Sequence, residues 1–577
     1  MNLDSFNNLL ELFFYQSDKQ NSNDIFLEWL NPKDKKIYTW EETKKNIFKL
    51  SKTIRKTIKK GDRCLLVSEN RPEWFVSDLS IMLAGGITVP AYTTYTEVDY
   101  KYLIEDCEPS LVIVSNKEML KKLNKTINEK NFIKKIIILD EIEKIHDELK
   151  LENKDKYLNF SSIINKNLSE DDKIEKTNLV RSSPACIIYT SGTGGNPKGV
   201  ILSHGGILNN LVGACEIMKP LFNSKPVFLT WLPLSHSYEH CVQFAQIAVG
   251  AKVFYAEKIE KLLENISEAK PTIMTAVPRF YQNLYNKINI NLKKQTGFKA
   301  KLIKATLRLG KKKLLNQKMN FSEKLVNLIV EALVRKKIKK QFGGNLKAFV
   351  SGGGALDKEI GEFLNSVGLP TLQGYGLTET SPVVSCNPIH KIKVETVGPP
   401  FKGNQVKIAD DGEILVKGEN VMLGYWNKKE ETDKVIIDGW LYTGDIGEID
   451  PEDGYLKITD RKKDIIVSAG GDNISPAKIE NMITNETEID QCMVYGDKKN
   501  YLVALIVPSK DFLNQKEKIN NVIEKINKKL TLLEKIKRIQ LIDENFSIEN
   551  GLMTPTMKVK RKKVIEKYKK ILENLYS

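Results

Sequence analysis

Residues 184–204 hold the stretch that most narrows the folds open to this chain. Ala185-Cys186-Ile187-Ile188 is a short apolar run of the kind that makes a buried strand. It empties into Tyr189-Thr190-Ser191-Gly192-Thr193-Gly194-Gly195-Asn196-Pro197-Lys198-Gly199, eleven positions with four glycines, four hydroxyl residues and one lysine. Val200-Ile201-Leu202-Ser203 and then His204-Gly205-Gly206 lead on into an apolar helical pattern. A strand ending in such a loop suits polyphosphate binding. Glycines let backbone N–H groups approach the oxygens, hydroxyls add donors, and the lysine neutralises charge. The loop is not a Walker A motif, which needs Gly before its Lys and Ser or Thr after it. Here Pro197, which has no N–H to offer, precedes Lys198 and Gly199 follows.

A length of 577 residues suggests two to four domains with large cores. The formal net charge of +16 comes mostly from lysine. It fits a base-composition bias as well as a role in attracting nucleotides, CoA or acidic lipid. The seven cysteines show no CxxC and no close Cys/His spacing, so reduced thiols in a cytoplasmic protein are expected, without disulfides or a zinc site. Met1-Asn2-Leu3-Asp4 lacks the basic and apolar regions of a signal peptide. No apolar run reaches the ~18 residues of a membrane span, so any membrane contact is expected to be peripheral, at the inner face.

Along the chain, Thr39-Trp40-Glu41-Glu42 opens a helix carrying Ile47, Leu50 and Ile54. Strands are expected at residues 64–68, 87–90, 111–114, 135–139, 227–229, 251–255, 271–277 and 347–351, with a helix over 73–83. This alternation predicts an α/β fold with a largely parallel sheet. Residues 140–178 are polar and read as a surface excursion, and residues 287–340 as lysine-rich helices, either a solvated face or an anionic-lipid patch. From about Gly398 short alternating strands with Gly/Asp turns predict a β-barrel or meander. Beyond Asp460-Arg461-Lys462-Lys463-Asp464 a small α+β domain follows. The expected division is a large domain over 1–459 and a small, mobile C-terminal domain over 460–577.

Several further loops share the theme of the first. Gly374-Tyr375-Gly376-Leu377-Thr378-Glu379 offers an aromatic plane, a hydroxyl and a carboxylate. Tyr442-Thr443-Gly444-Asp445 sets a carboxylate on a tight turn, suited to a ribose diol, and Arg461 adds a cation. Thr554-Pro555-Thr556-Met557-Lys558-Val559-Lys560-Arg561 presents lysines on a loop. Taken in order, these stretches resemble the adenylate-forming superfamily of acyl-CoA synthetases, firefly luciferase and peptide-synthetase adenylation domains. Within it the chain most resembles long-chain fatty acid–CoA ligases, through Leu232-Pro233-Leu234-Ser235-His236-Ser237-Tyr238-Glu239, Val277-Pro278-Arg279-Phe280-Tyr281 and Phe349-Val350-Ser351-Gly352-Gly353-Gly354-Ala355-Leu356.

The resemblance implies two half-reactions: a fatty acid carboxylate attacks the α-phosphorus of ATP, and the CoA thiol then displaces AMP. It implies ATP, Mg²⁺ and CoA as cofactors or co-substrates, with Thr190 and Glu379 at the metal-associated positions. It assigns the phosphates to Thr190, Ser191, Gly192, Thr193, Gly194 and Lys198, and the α-phosphate to Thr378. Adenine falls to Gly353, Gly354, Gly374, Tyr375 and Gly376, and the ribose to Asp445 and Arg461. Lys558 matches the lysine that bridges acyl carboxylate and α-phosphate, fitting the spacing to Thr554 and Arg561 better than Lys560 does. Lys463 matches the hinge, Gly470 the thiol path, and His236 a residue between acyl pocket and CoA channel. Gly194 and Met557 depart from the usual pattern, which has Thr and Gly there. His204, His240 and His390 are expected to be structural. Competing readings keep the adenylation but change the acceptor to acyl carrier protein or the acid to a medium-chain or aryl one, or keep the fold as a non-catalytic adenylate-binding scaffold. A homodimer is compatible with the sequence. Nucleic acid is not an expected partner, since no recognition motif is present and the lysines read as dispersed among acids.

Overall fold

A computed structural model describes residues 1–141, 154–169, 173, 177–190, 196–470, 472–554 and 558–576. Two eight-stranded sheets make the body. In one, Arg63–Val67, Ile87–Ala91, Leu111–Val114, Lys135–Ile138 and Pro184–Thr190 run parallel. Lys198–Ser203 returns antiparallel beside Pro184–Thr190, so the glycine-rich stretch joins two paired strands, with Thr190 opposite Lys198. In the other, Ile25–Trp29, Lys252–Tyr255, Val227–Thr230, Ile273–Ala276, Ala348–Ser351 and Thr371–Gly376 form a parallel run with antiparallel edges Ile37–Thr39 and Val383–Cys386. The strands read as continuous apolar runs because helices cover both faces of such sheets.

The helices follow their sequence signals. Thr39 caps Trp40–Arg55 in a capping box with Glu42, each satisfying a backbone N–H of the other. Pro72–Leu83 starts on a proline, whose missing N–H costs nothing at a helix N-terminus, and every residue in it is buried. With Leu9–Lys19, His204–Met218 and Ser237–Ala248 it supplies a core shared by strands of both sheets. Trp40 and Phe26 stack there at 3.7 Å between ring centroids.

A third, antiparallel sheet follows: Gln405–Ile408, Glu413–Lys417, Trp440–Ile449 and Ile436–Ile437, with Leu456–Arg461 paired to Trp440–Ile449. The expectation named a β-barrel or a meander; the observed pairings make an antiparallel sheet in which Glu413–Lys417 neighbours Trp440–Ile449 and not the next strand in sequence. The last region has its own sheet of Ile489–Tyr495, Leu502–Pro508 and Ile536–Leu541 and its own apolar clusters. One expectation changes. Within residues 140–178, Tyr157–Asn159 extends the first sheet beside Lys135–Ile138, and Phe160 and Ile163 of the following helix are buried. Polar flanks hid a three-residue edge strand; residues 142–153, 170–172 and 174–176 lie outside the described residues.

The seven cysteines are all free thiols, six of them buried. His240 is held by Asp78 at 2.8 Å and by the Cys186 thiol at 3.7 Å, and His204 accepts a bond from the Leu9 N–H at 3.4 Å. Both are buried, in line with structural roles. Glu239, on the same helix as His240, is 1% exposed and accepts a hydrogen bond from Thr275 Oγ1 at 2.8 Å. Burial pushes its carboxyl up to about 8, against the hydrogen bonds from Thr275 and Thr230 that favour the charged form. A raised folded-state pKa means stability that is complete below the unfolded pKa and is lost as pH climbs toward 8. Glu239→Gln, which cannot ionise, should therefore melt above the wild type by a margin that widens from pH 5 to pH 8. Thermal melts giving parallel profiles over that range would show that Glu239 does not titrate in the fold.

Candidate active site

The strand Thr371–Gly376 carries Gly374, Tyr375 and Gly376 to the edge of a cleft. Gly376 has no alternative: a Cβ there would lie 1.8 Å from the Pro382 carbonyl oxygen. The chain then turns through a short 3₁₀ segment, Thr378–Thr380. Beside it, Ala348–Ser351 ends in Gly352, Gly353 and Gly354. Gly353 sits at φ +78°, a left-handed conformation that suits glycine, and a Cβ on Gly352 would press on the Tyr238 ring at 2.9 Å.

Three groups of side chains line this cleft. In the first, the Tyr375 hydroxyl donates to Asp445 Oδ2 at 2.8 Å and Arg461 Nε stands 3.4 Å from Asp445 Oδ1. Asp445 and Arg461 are direct cross-strand partners, which is why residues sixteen apart in sequence meet. Burial raises the Asp445 carboxyl above its usual range, against Arg461 and the Tyr375 bond, which favour the carboxylate. The turn that carries Asp445 is held from behind. Glu413 Oε1 accepts the Gly444 N–H at 2.7 Å, and Lys462 reaches Glu413 at 2.8 Å and Asp411 at 2.6 Å.

In the second group, Tyr425 donates to Glu379 Oε1 at 2.9 Å while Lys198 Nζ lies 4.8 Å from the Tyr425 ring centroid. Strand Gly424–Tyr425 pairs with Lys198–Ser203, so Thr190, Lys198, Tyr425 and Glu379 are drawn into one neighbourhood. Lys198 is not left free for an incoming anion. Its ammonium pairs with Glu431 at 2.7 Å, and Lys198 and Lys434 together hold the Glu431 carboxyl down to about 2. Ser191, Gly192, Thr193 and Gly194 lie outside the described residues, as does Met557.

The third group joins residues far apart in the sequence. Thr378 Oγ1 and Ser237 Oγ are 3.0 Å apart. The preceding residue, His236, caps helix Ser237–Ala248, its Nδ1 accepting from the Tyr238 N–H at 3.1 Å. Burial and then the nearby Lys558 ammonium push His236 down to about 4, so it is neutral at pH 7 with the proton on Nε2. Lys558 is open to solvent yet stands in a cleft walled by protein. Desolvation and Arg461 lower its pKa, and Asp445 and Asp464 oppose them.

The backbone around Lys558 is clamped. Thr554 N donates to Lys558 O at 2.8 Å and Lys558 N to Thr554 Oγ1 at 3.0 Å. Arg561 grips Glu480 through two contacts of 2.8 Å and the Val494 carbonyl at 2.7 Å. Thr554 and Arg561 are the residues whose spacing favoured Lys558 over Lys560. The small region docks through Arg279, which pairs with Asp490, and Gln282, which donates to the Thr484 carbonyl. Lys463 and Gly470 are exposed and bond no cleft residue; Gly470 donates its N–H to Ser468 Oγ at 3.2 Å.

The chain matches the AMP-binding enzyme family over residues 13–426 and that family's C-terminal domain over 463–577. It is 31% identical to the long-chain-fatty-acid–CoA ligase FadD15 of Mycobacterium bovis over 90% of this chain and 89% of that protein. It is 30% identical to long chain acyl-CoA synthetase 3 of Arabidopsis thaliana, covering 93% and 86%. The chain belongs to the long-chain acyl-CoA synthetases of the AMP-binding enzyme family. Its fold is that of the anthranilate CoA ligase AuaEII in complex with anthranoyl-AMP, with a TM-score of 0.78 at 19% identity over 99% of both chains. This synthetase therefore combines a large body of α/β sheets with a smaller C-terminal domain.

Ser237, Tyr425, Glu431 and Glu413 were assigned no role from the sequence. Each acts through a partner distant in sequence, and no local spacing announces such a pair. Glu431 gives a direct test. A carboxylate on Lys198 competes with any phosphate for the same ammonium. Glu431→Gln should lower the KM for ATP two- to fivefold in initial-rate assays while leaving kcat within about twofold. A raised KM would mean that Glu431 positions Lys198 and does not compete for it.

Proposed function

We propose that this synthetase is an ATP-dependent long-chain fatty acid–CoA ligase working through acyl-AMP. In the first step a carboxylate oxygen bonds to the α-phosphorus as the bond to pyrophosphate breaks. In the second the CoA sulfur bonds to the acyl carbon and AMP leaves. Both reactants of the first step are anions, so a cation has to stand between them. The observation that carries this reading is Lys558, delivered by the small domain to within electrostatic reach of both His236 and Asp445. Because His236 is neutral there and Arg461 is paired with Asp445, Lys558 is the cation best placed to bridge carboxylate and α-phosphate.

In this reading the Tyr375 ring stacks on adenine, beside the glycines at 353, 354, 374 and 376. Asp445, backed by Arg461, accepts the ribose hydroxyls. Thr378 donates to the α-phosphate, and residues 190–194 with Lys198 hold the outer phosphates. Among the described residues no group of three His, Cys, Asp or Glu could hold a metal ion. Mg²⁺ takes few protein ligands and most of its shell from phosphates and water. Glu379 and Thr190 would hold it, and it would supply positive charge against the phosphates.

We set the domain boundary at 460–464, with Lys463 as the hinge. Turning the small domain would withdraw Lys558, break the Arg279–Asp490 contact and bring Gly470 to the thiol path, limiting loss of acyl-AMP to water. No described helix is long and apolar enough to cross a membrane.

Two measurements test the proposal. Lys558→Ala should cut acyl-AMP formation by 10²-fold or more yet leave thioester formation from supplied acyl-AMP within a few-fold of wild type. Equal losses in both half-reactions would remove the role given to Lys558. In a panel of C8 to C20 acids with CoA and acyl carrier protein as acceptors, pyrophosphate release should peak at C16 to C18 with CoA. A peak at shorter or aryl acids, or with the carrier protein, would replace the proposed substrate or acceptor.

A further inference from the structure

Residues 287–340 hold seventeen lysines and arginines against two glutamates, so they carry +15 of the chain's net +16. The positive charge is thus concentrated in one helical segment and is not dispersed among acids, as the sequence reading had it. The segment comprises the end of helix Pro278–Lys293, then Gly297–Leu314, Phe321–Val330, a π-turn over Glu331–Arg335 and Lys336–Lys340. From Phe321 to Lys340 the last three run without interruption, about 30 Å at 1.5 Å per residue.

This long helix is oriented the wrong way round for a soluble protein. Its inward side carries charged groups beside the buried Val330 and Ile338: Glu323 accepts from Arg308 at 2.5 Å and from Lys312 at 2.8 Å. Arg335, 4% exposed, bonds the Ser366 carbonyl at 3.0 Å and Asn327 at 2.8 Å. Its apolar side faces out. Phe321, Leu325, Leu328, Ile329 and Leu333 recur at the spacing of one helix face and are 78%, 50%, 67%, 47% and 46% exposed. Phe298, at the start of the neighbouring helix, is 68% exposed. A contiguous row of exposed large apolar groups marks an interaction surface. Lys324 lies along the row, and Lys336, Lys337 and Lys340 are exposed at its C-terminal end.

We propose that the outward face of residues 321–340 is a docking surface for a lipid bilayer bearing anionic headgroups, with the apolar row dipping into the acyl boundary and the lysines lying on the phosphates. Charge complementarity selects this occupant. A second copy of the chain would bring together two faces that each carry six lysines and arginines against two glutamates over residues 321–340. Nucleic acid would satisfy the lysines but leave the phenylalanine and leucines against a polar groove. Only an anionic bilayer matches both halves of the face. Its use rests on the long-chain reading, since long-chain acids partition into membranes; binding itself does not.

The test is co-sedimentation of the full chain with vesicles of phosphatidylcholine alone or mixed equally with phosphatidylglycerol, without ATP, CoA or acid. Failure of the ligase reading would therefore not disturb it. Binding to the anionic vesicles should exceed that to neutral ones at least tenfold and fall at least fivefold in 0.5 M NaCl, as each lysine near the surface multiplies binding about fivefold. Phe321→Ser with Leu328→Ser should lower it at least tenfold with an unchanged melting temperature. Lys336→Glu with Lys337→Glu and Lys340→Glu should do the same. Should the serine pair unfold, Leu325→Gln alone takes its place and should lower binding at least threefold. Equal binding to both vesicles, or serine variants binding as wild type, overturns the proposal. So does a dimer by light scattering that the serine variants dissociate, or tight binding to duplex DNA that those variants retain.

Discussion

In the proposed reaction one cation, Lys558, stands between two anions and then leaves, and much of the molecule suits that requirement. A lysine fixed permanently in the large body would stabilise acyl-AMP formation but obstruct the thiol that follows. Carried on a separate small domain, as proposed, it would be presented and then withdrawn. Thr554 and the part-buried grip of Arg561 on Glu480 hold the described residues on either side of Lys558, and the described docking contacts run from Arg279 to Asp490 and from Gln282 to Thr484 and Asn485.

The nucleotide side is built on the opposite plan. Asp445 sits on a sheet strand with Arg461 as its cross-strand neighbour, and its turn is braced by Glu413 and Lys462. Lys462 also belongs to the stretch that leads into the small domain, its N–H donating to the Gly444 carbonyl at 2.8 Å. The turn that carries Asp445 and the stretch 460–464 therefore share hydrogen bonds. Around Lys198 the same economy appears: an ammonium held by Glu431 is ready for phosphate, which needs only to displace one half-exposed carboxylate.

Much of this was legible in the residues. The capping pattern at Thr39 and Glu42 and the proline start of Pro72–Leu83 are local signals, and local physics decided those helices. The apolar runs gave strands because buried parallel strands need apolar residues on both faces. The loops with Gly374, Asp445 and Lys558 stood out because their residue types together suit a nucleotide. Tyr157–Asn159 did not stand out, since a three-residue edge strand has too little periodicity to register against polar flanks. Ser237, Tyr425 and Glu431 were silent for another reason: their chemistry exists only in pairs formed across separate strands and helices.

The sequence by itself determined the family, the order of strands and helices, the sites of the glycine-dependent turns and the concentration of charge in residues 287–340. These are properties of short stretches, set by hydrogen-bonding chemistry, side-chain shape and formal charge. Tertiary structure alone decided which face of each helix is buried. Periodicity marks an apolar stripe on residues 321–333 but is blind to its direction, and only packing against Ser366 and Thr306 turned that stripe outward. It also decided that Lys198 meets Glu431, Thr378 meets Ser237 and Lys558 reaches the cleft at all, because those contacts depend on where distant segments of chain are brought together.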